Sequence, residues 1–205
     1  MAAPTVRVRI GFTPDTFTLD DLVRGILDTG KLGGATTLTD VTSDVQSVTI
    51  NRGRSRDLDS FFTGSCNVQL LNNARKYENT NTSSPYYPGI EPMIEIHVDA
   101  TTDGGSNYED LFVGFVTDIN LSYPDANNSF ANFQASDAFM KVANTELINA
   151  SFGSSASGTL IGNILDNANV KFGTNRNIET GVSTMQSLSG LSGNTLSVLQ
   201  TVEQS

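Results

Sequence analysis

The 205 residues carry a formal net charge of −10, and the 38% hydrophobic and 17% charged fractions are both low for a globular chain. No run of about 18 apolar residues occurs, which excludes a membrane-spanning helix, and the first residues, MAAPTVRVRIGF, lack the apolar core of a secretory leader. A single cysteine, Cys66, excludes an internal disulfide, and the abundant Ser, Thr, Asn and Gly favour many short strands and turns over long helices.

In chain order, Val6, Val8, Ile10 and Phe12 alternate with Arg7, Arg9 and Gly11, the period-two pattern of a half-buried strand. Val48 and Ile50 alternate with Ser47 and Thr49, and Val68 and Leu70 with Asn67 and Gln69; Cys66 falls in the latter strand, where a buried thiol is expected. Between these strands lies a turn in which Arg52, Arg54 and Arg56 are offset by Asp57 and Asp59. An Asn-rich turn follows, then a polar arm ending in Tyr86, Tyr87, Pro88 and Gly89. Ile94, Ile96 and Val98 share a face opposite Glu95 and His97, so the one histidine is expected to point outward. Residues 111 to 121 begin apolar on both faces, as a central strand would, and residues 130 to 135 add a sixth strand. This series predicts a mainly β fold, an antiparallel barrel or sandwich over residues 1–150.

Beyond residue 138 the pattern turns helical. Residues 138 to 147 read as a short helix closing the β-domain, and the Ser/Gly-rich residues 151–158 as a linker. Leu160, Ile161, Ile164, Leu165 and Ala168 form one face of an amphipathic helix that Gly173 helps to end. Leu196, Leu199 and Val202 make a second helical stripe with Asn194 as its N-cap. Residues 159–205 therefore read as the helical start of a second, smaller α+β domain, incomplete at Ser205, at the front of a longer protein.

Charge is unevenly distributed. Residues 77 to 140 hold no Lys or Arg against ten carboxylates, whereas residues 1 to 76 carry nine basic and eight acidic groups and residues 141 to 205 three and four. Such a block repels nucleic acid and draws in basic surfaces or cations, although a solvated acidic sheet edge serves solubility alone.

Motifs for chemistry fail on context. Residues 25 to 32 approach a phosphate-binding loop, but Leu32 replaces the hydroxyl residue that must reach Mg²⁺ and Asp28 repels phosphate. Asp99, Thr101, Asp103, Gly104 and Asp110 echo a calcium loop, yet the flanks read as strands, and a Gly-Gly hairpin tip is the better reading. One His and one Cys furnish no zinc set, and neither a G-x-S-x-G elbow nor an H-E-x-x-H motif is present. Asp57 and Asp59 lie beside three arginines, as neutralised turn charges. The expectation is a non-enzymatic protein with no cofactor and no metal.

The order SVTINRGRS, DLDSFFTGSCNVQLLNN, NTSSPYYPGIEP resembles the minor tail proteins of long-tailed bacteriophages, the family of distal tail and baseplate hub proteins. The resemblance continues through LFVGFV at residues 111 to 116, SDAF at 136 to 139 and the helix at 158 to 168. It runs over residues 40 to 205, is densest over 47 to 92, and leaves the acidic LDDLVRGILDTG segment unexplained.

That resemblance implies a structural protein at the tail tip of a virion. Its tail-tube-like β-domain would assemble into a homo-oligomeric ring, three-fold as a hub (the favoured state) or six-fold as a distal tail ring, extending the channel for DNA ejection. The implied partners are the tail tube, distal tail, tape measure and tail fibre proteins, with DNA passing but not specifically bound. Tyr86, Tyr87 and Pro88, with Arg52, Arg54 and Arg56, are then the candidate subunit interface, because rigid aromatic anchors dominate many interfaces; a tyrosine pair covering its own barrel is the other reading. Glu78, Glu91, Glu95, Asp99, Asp118 and Asp125 are the candidate channel lining, where like charge keeps DNA from sticking. A receptor- or glycan-binding tail adhesin is the alternative, with Tyr108 and Tyr123 as its loop aromatics, and a tail-tip hydrolase is a third reading.

Overall fold

The computed structural model describes residues 4–12, 22, 25–26, 38–52, 61–125, 128–173 and 176–203. The chain divides into two units, one formed by Met1–Asn51 and Ser65–Asp137 and the other by Arg52–Gly64 and Ala138–Ser205. Residues 27–32 of the motif resembling a phosphate loop, the arginines at 54 and 56 and the acids at 57 and 59 lie outside the described residues.

The first unit is a single sheet of β1 (Thr5–Ile10), β2 (Thr39–Asp40), β3 (Val45–Asn51), β4 (Ser65–Leu71), β5 (Glu95–Thr101), β6 (Glu109–Ser122) and β7 (Phe130–Asp137). Its strands are antiparallel throughout, in the lateral order β2-β1-β5-β6-β7-β4-β3, and the sheet curls into a half-barrel. Each of the six alternating segments in the sequence is a strand of this sheet, and the fold is mainly β, as expected.

Alternation sends one set of side chains into the half-barrel. Val8 and Ile10 of β1, Ile96 and Val98 of β5, Phe133 of β7, and Val68 and Leu70 of β4 are fully buried. Burial of each such side chain contributes about 1.5–3 kcal/mol. Cys66 is buried among them, and burial pushes its thiol pKa up to about 12. Phe12, Val41, Tyr77 and Ile90, from segments between the strands, are buried in the same core.

The two-faced apolar run in β6 has a different origin from the one its composition suggests. A register shift between Val116 and Asp118 leaves both Thr117 and Asp118 exposed and exchanges the phase of alternation. Phe112 and Val116 face the core before the shift, and Ile119 and Leu121 pack on it afterwards.

The second unit contains α1 (Phe139–Ala143), β8 (Glu146–Phe152), β9 (Ser155–Ala156), α2 (Ser157–Leu165), β10 (Thr184–Met185), β11 (Leu188–Asn194) and α3 (Thr195–Glu203). Strand β8 pairs antiparallel with β11, and β9 with β10. Val142, Leu147, Leu160, Ile164, Leu199 and Val202 are its buried centre. Asn194 caps α3 as expected, its Oδ1 accepting the Ser197 N–H at 3.2 Å.

Three expectations are corrected here. The boundary at residue 150 falls inside β8, whose Leu147 and Ala150 belong to the second core. The Ser/Gly-rich stretch 151–158 is not a linker: it ends β8, forms β9 and opens α2. The helix over 138 to 147 stops at Ala143 because Glu146 already pairs with Asn194 in β11.

Candidate functional site

The connection from β4 to β5 is built as a staircase of turns. Successive backbone N–H groups of Arg75, Glu78, Asn81, Ser84 and Tyr87 donate to the carbonyls of Asn72, Arg75, Glu78, Asn81 and Ser84, at 3.0–3.3 Å. Side chains lock it: Asn72 Oδ1 accepts the Tyr77 N–H at 2.9 Å, Asn81 Nδ2 donates to Arg75 O at 2.9 Å, and Ser84 Oγ donates to Lys76 O at 2.5 Å. Ala74 and Arg75 take positive φ angles of 57° and 58°, which sharpens the first bend. The Asn-rich composition thus satisfies its own backbone locally instead of forming an extended arm.

Three aromatic rings pin this loop to the sheet. Tyr77 is fully buried, and its O–H donates to Asp44 Oδ2 at 2.5 Å, with the Lys76 ammonium on the same oxygen. Burial, then that hydrogen bond, raises its phenol pKa. Tyr86 stacks on Phe12 at 4.3 Å and on Tyr77 at 5.3 Å between ring centroids. Tyr86 therefore packs on its own domain, as the second reading of the pair has it, and does not point to a neighbour. Tyr87 is 43% exposed, joined by a cis peptide bond to the half-buried Pro88. Arg52 is exposed at the end of β3.

The six acidic candidates are not brought together. Glu78, on the loop, accepts from Arg75 at 2.6 and 2.5 Å, from Thr80 at 2.8 Å and from Tyr123 at 2.9 Å. Those hydrogen bonds, that of Arg75 above all, hold its pKa down at about 2. Asp99 is buried on β5 and clasped by Arg7 (2.9 and 2.9 Å) and Arg9 (2.5 Å) of β1. Burial alone would raise its pKa, but the hydrogen bonds from Arg7 and Arg9 outweigh it and hold the carboxyl below its usual range. Glu95 meets His97 at 2.7 Å, and that histidine faces away from the core, as expected. Asp118 sits on the outward face of β6, Asp125 accepts from Asn128 at 2.9 and 2.7 Å in the β6–β7 turn, and Glu91 is exposed before β5.

Asp103 occupies the hairpin tip between β5 and β6, where Gly104 and Gly105 take positive φ. Its carboxylate accepts from Thr101 Oγ1 and from the Ser106 and Asn107 backbone N–H groups, so its oxygens face donors within the turn. Among the described residues no three His, Cys, Asp or Glu side chains gather as a metal site.

The face of the sheet opposite the core was not foreseen as a surface. Across four strands, Ser47, Gln69, Asn132 and Asn120 stand in one row and Thr49, Asn67, Gln134 and Asp118 in the next. All eight are exposed or half-exposed, and Asp118 alone is ionisable. Alternation in the sequence marks each residue as outward-facing, but only strand order aligns them. The second unit has a cleft of about 410 Å³ lined by Phe61, Phe139, Ile161, Phe172 and Leu199, with Arg176 and Glu203 also in its wall. Its rings lie 5.3 Å (Phe61–Phe139) and 6.1 Å (Phe139–Phe172) apart, drawn from segments too distant in sequence to give a local signal.

No protein-family model matches this sequence, and no curated protein does. Among solved structures, the fold is similar to the 43 kDa tail protein of prophage MuSo2 from Shewanella oneidensis. That match has a TM-score of 0.53 and 14% identity, and covers 97% of this chain and 47% of that one. The E. coli c3393 protein, a type VI secretion component with structural similarity to the T4 tail proteins gp27 and gp5, gives a TM-score of 0.43 at 9% identity, over 76% of this chain and 42% of its own. The chain thus spans about half the length of the Shewanella protein, and over that span it is folded as a phage tail protein is.

Proposed function

We propose that this chain is a structural protein of a phage tail, placed at the tail tip as a baseplate hub or distal tail ring. In this reading copies close into a homo-oligomeric ring, a trimer in preference to a hexamer, that continues the tail channel and docks other tail proteins. The observation that carries it is the likeness in fold to a prophage tail protein along 97% of the chain. Loop geometry supports the contact proposed between copies: a hydrogen-bonded staircase anchored by Tyr77 and Tyr86 holds Tyr87 out on a rigid support. The second unit, with its open apolar cleft, is proposed as part of a larger hub domain.

Light scattering on the purified chain tests the ring. The expected result is a trimer or hexamer mass that falls to the monomer when Tyr87→Ala is introduced, with unchanged circular dichroism. Tyr86→Ala should instead lower stability, by about 3–5 kcal/mol if its site were fully buried and by less here. A wild-type monomer at all concentrations, or an antibody label away from the tail tip in micrographs of the virion, would overturn the proposal.

A further inference from the structure

We infer that the cleft of the second unit is a docking groove for an extended peptide of a partner protein, which seats a large apolar side chain among its phenylalanines and sets a carboxylate against Arg176. All of the residues lining it belong to the second unit, so the site stands whether or not copies close into a ring. Phe61, Phe139, Phe172 and Leu199 come from four separate segments and leave about 410 Å³ open between them. Apolar walls around a space of this size, with a few polar groups placed in them, are the composition of a binding cleft.

Arg176 is the group that selects. Its Nη2 donates to Asp166 Oδ1 at 2.5 Å, while Nη1 is buried and has no hydrogen-bond partner among the described residues. A buried donor left unpaired is costly, and most costly on a charged group. A carboxylate is the acceptor that gains most there, through a charge-assisted hydrogen bond. Glu203, exposed on α3, lines the same cleft. It disfavours a second carboxylate and accepts N–H groups, which a peptide backbone has and a simple carboxylic acid lacks. Arg176 and Ile178 also line a neighbouring cleft of about 310 Å³ beside α2. There Gly162 faces open space, with nothing within 4 Å of where a Cβ would stand. A peptide backbone can therefore lie along α2 on one side of Arg176 while its apolar side chain fills the cleft on the other.

Panning a displayed random-peptide library on the purified chain tests this. It should enrich sequences that pair Phe, Leu, Ile or Trp with a nearby Asp or Glu. A fluorescent synthetic copy of the leading sequence should bind when read by anisotropy. Arg176→Gln and Arg176→Lys should each lower its affinity by about 10-fold or more, the loss expected for a hydrogen bond to a charged group; Arg176→Lys also keeps a cation beside Asp166 and so guards against misfolding. Replacing the acid of the peptide by its amide should cost as much, and no more when combined with Arg176→Gln, because both changes remove one contact. Gly162→Leu should weaken binding by obstructing the neighbouring cleft, with unchanged circular dichroism. No enrichment over an unrelated protein, enrichment of apolar peptides without an acid, or an affinity indifferent to Arg176 would each overturn the inference. Binding that emerges only on dilution of the chain to monomer would show a second copy in the groove and would overturn it too.

Discussion

Tyr86 and Tyr87 are adjacent and chemically identical, yet one is stacked against both Phe12 and Tyr77 while the other is 43% exposed. Nothing local in the sequence separates them; the turn that carries them decides. Other single residues are more legible: the burial of Cys66, the outward His97 and the Asn194 cap each follow from alternation or capping chemistry. The acidic residues are less so, since charge counts ignore partners such as the Arg75 that holds Glu78. The folded pKa of Glu78, about 2, lies below its ordinary 4.5. A depressed carboxyl stabilises the fold fully above its unfolded pKa, and that contribution disappears as pH falls through the folded value. Stability should therefore decline from about pH 4.5 to about pH 2, and Glu78→Gln should remove part of that slope while lowering stability at neutral pH. Urea midpoints measured across this window check it; parallel curves for the two proteins would contradict it.

At the scale of elements, the strands of the first unit were readable because period-two alternation is a local property, and their order was not because pairing is decided over the whole chain. The second unit hid its strands in Ser- and Gly-rich sequence that has the composition of a linker, although β9 and the start of α2 lie in it. Gly158 shows why that composition is needed. A Cβ placed there would come within 1.7 Å of the Glu179 carbonyl oxygen, so the strand-to-helix step requires glycine, whereas at Gly162 on the same helix nothing lies within 4 Å. Gly158→Ala should cost about 1–3 kcal/mol through forced displacement of the 179–180 backbone. Gly162→Ala should be neutral or stabilise by about 0.5–1 kcal/mol through helix propensity. Chemical denaturation followed by circular dichroism distinguishes the two; equal effects would show that the helix, not the close approach, sets the cost.

For the molecule as a whole, the division into two units follows cores and not chain order. The core of the first unit joins Tyr77, Ile90 and Phe12 to the inward side chains of the sheet, and the second is centred on Leu160, Ile164, Leu199 and Val202. A chain shortened to residues 1–150 would keep Val142, Leu147 and Ala150 while losing the helices α2 and α3 that bury them. It should be trypsin-sensitive at Lys141 and poorly soluble, whereas the full chain resists; protection at that site in the shortened chain would show that β8 needs no partner. The excursion of residues 52–64 between β3 and β4 has a consequence for how such a gene can change. Because the chain leaves the first unit, contributes Phe61 to the second core and then returns to begin β4, no single breakpoint separates the two units. A recombination event joining this gene to another at one site would split one core or orphan the excursion, so the pair is expected to be inherited as one block.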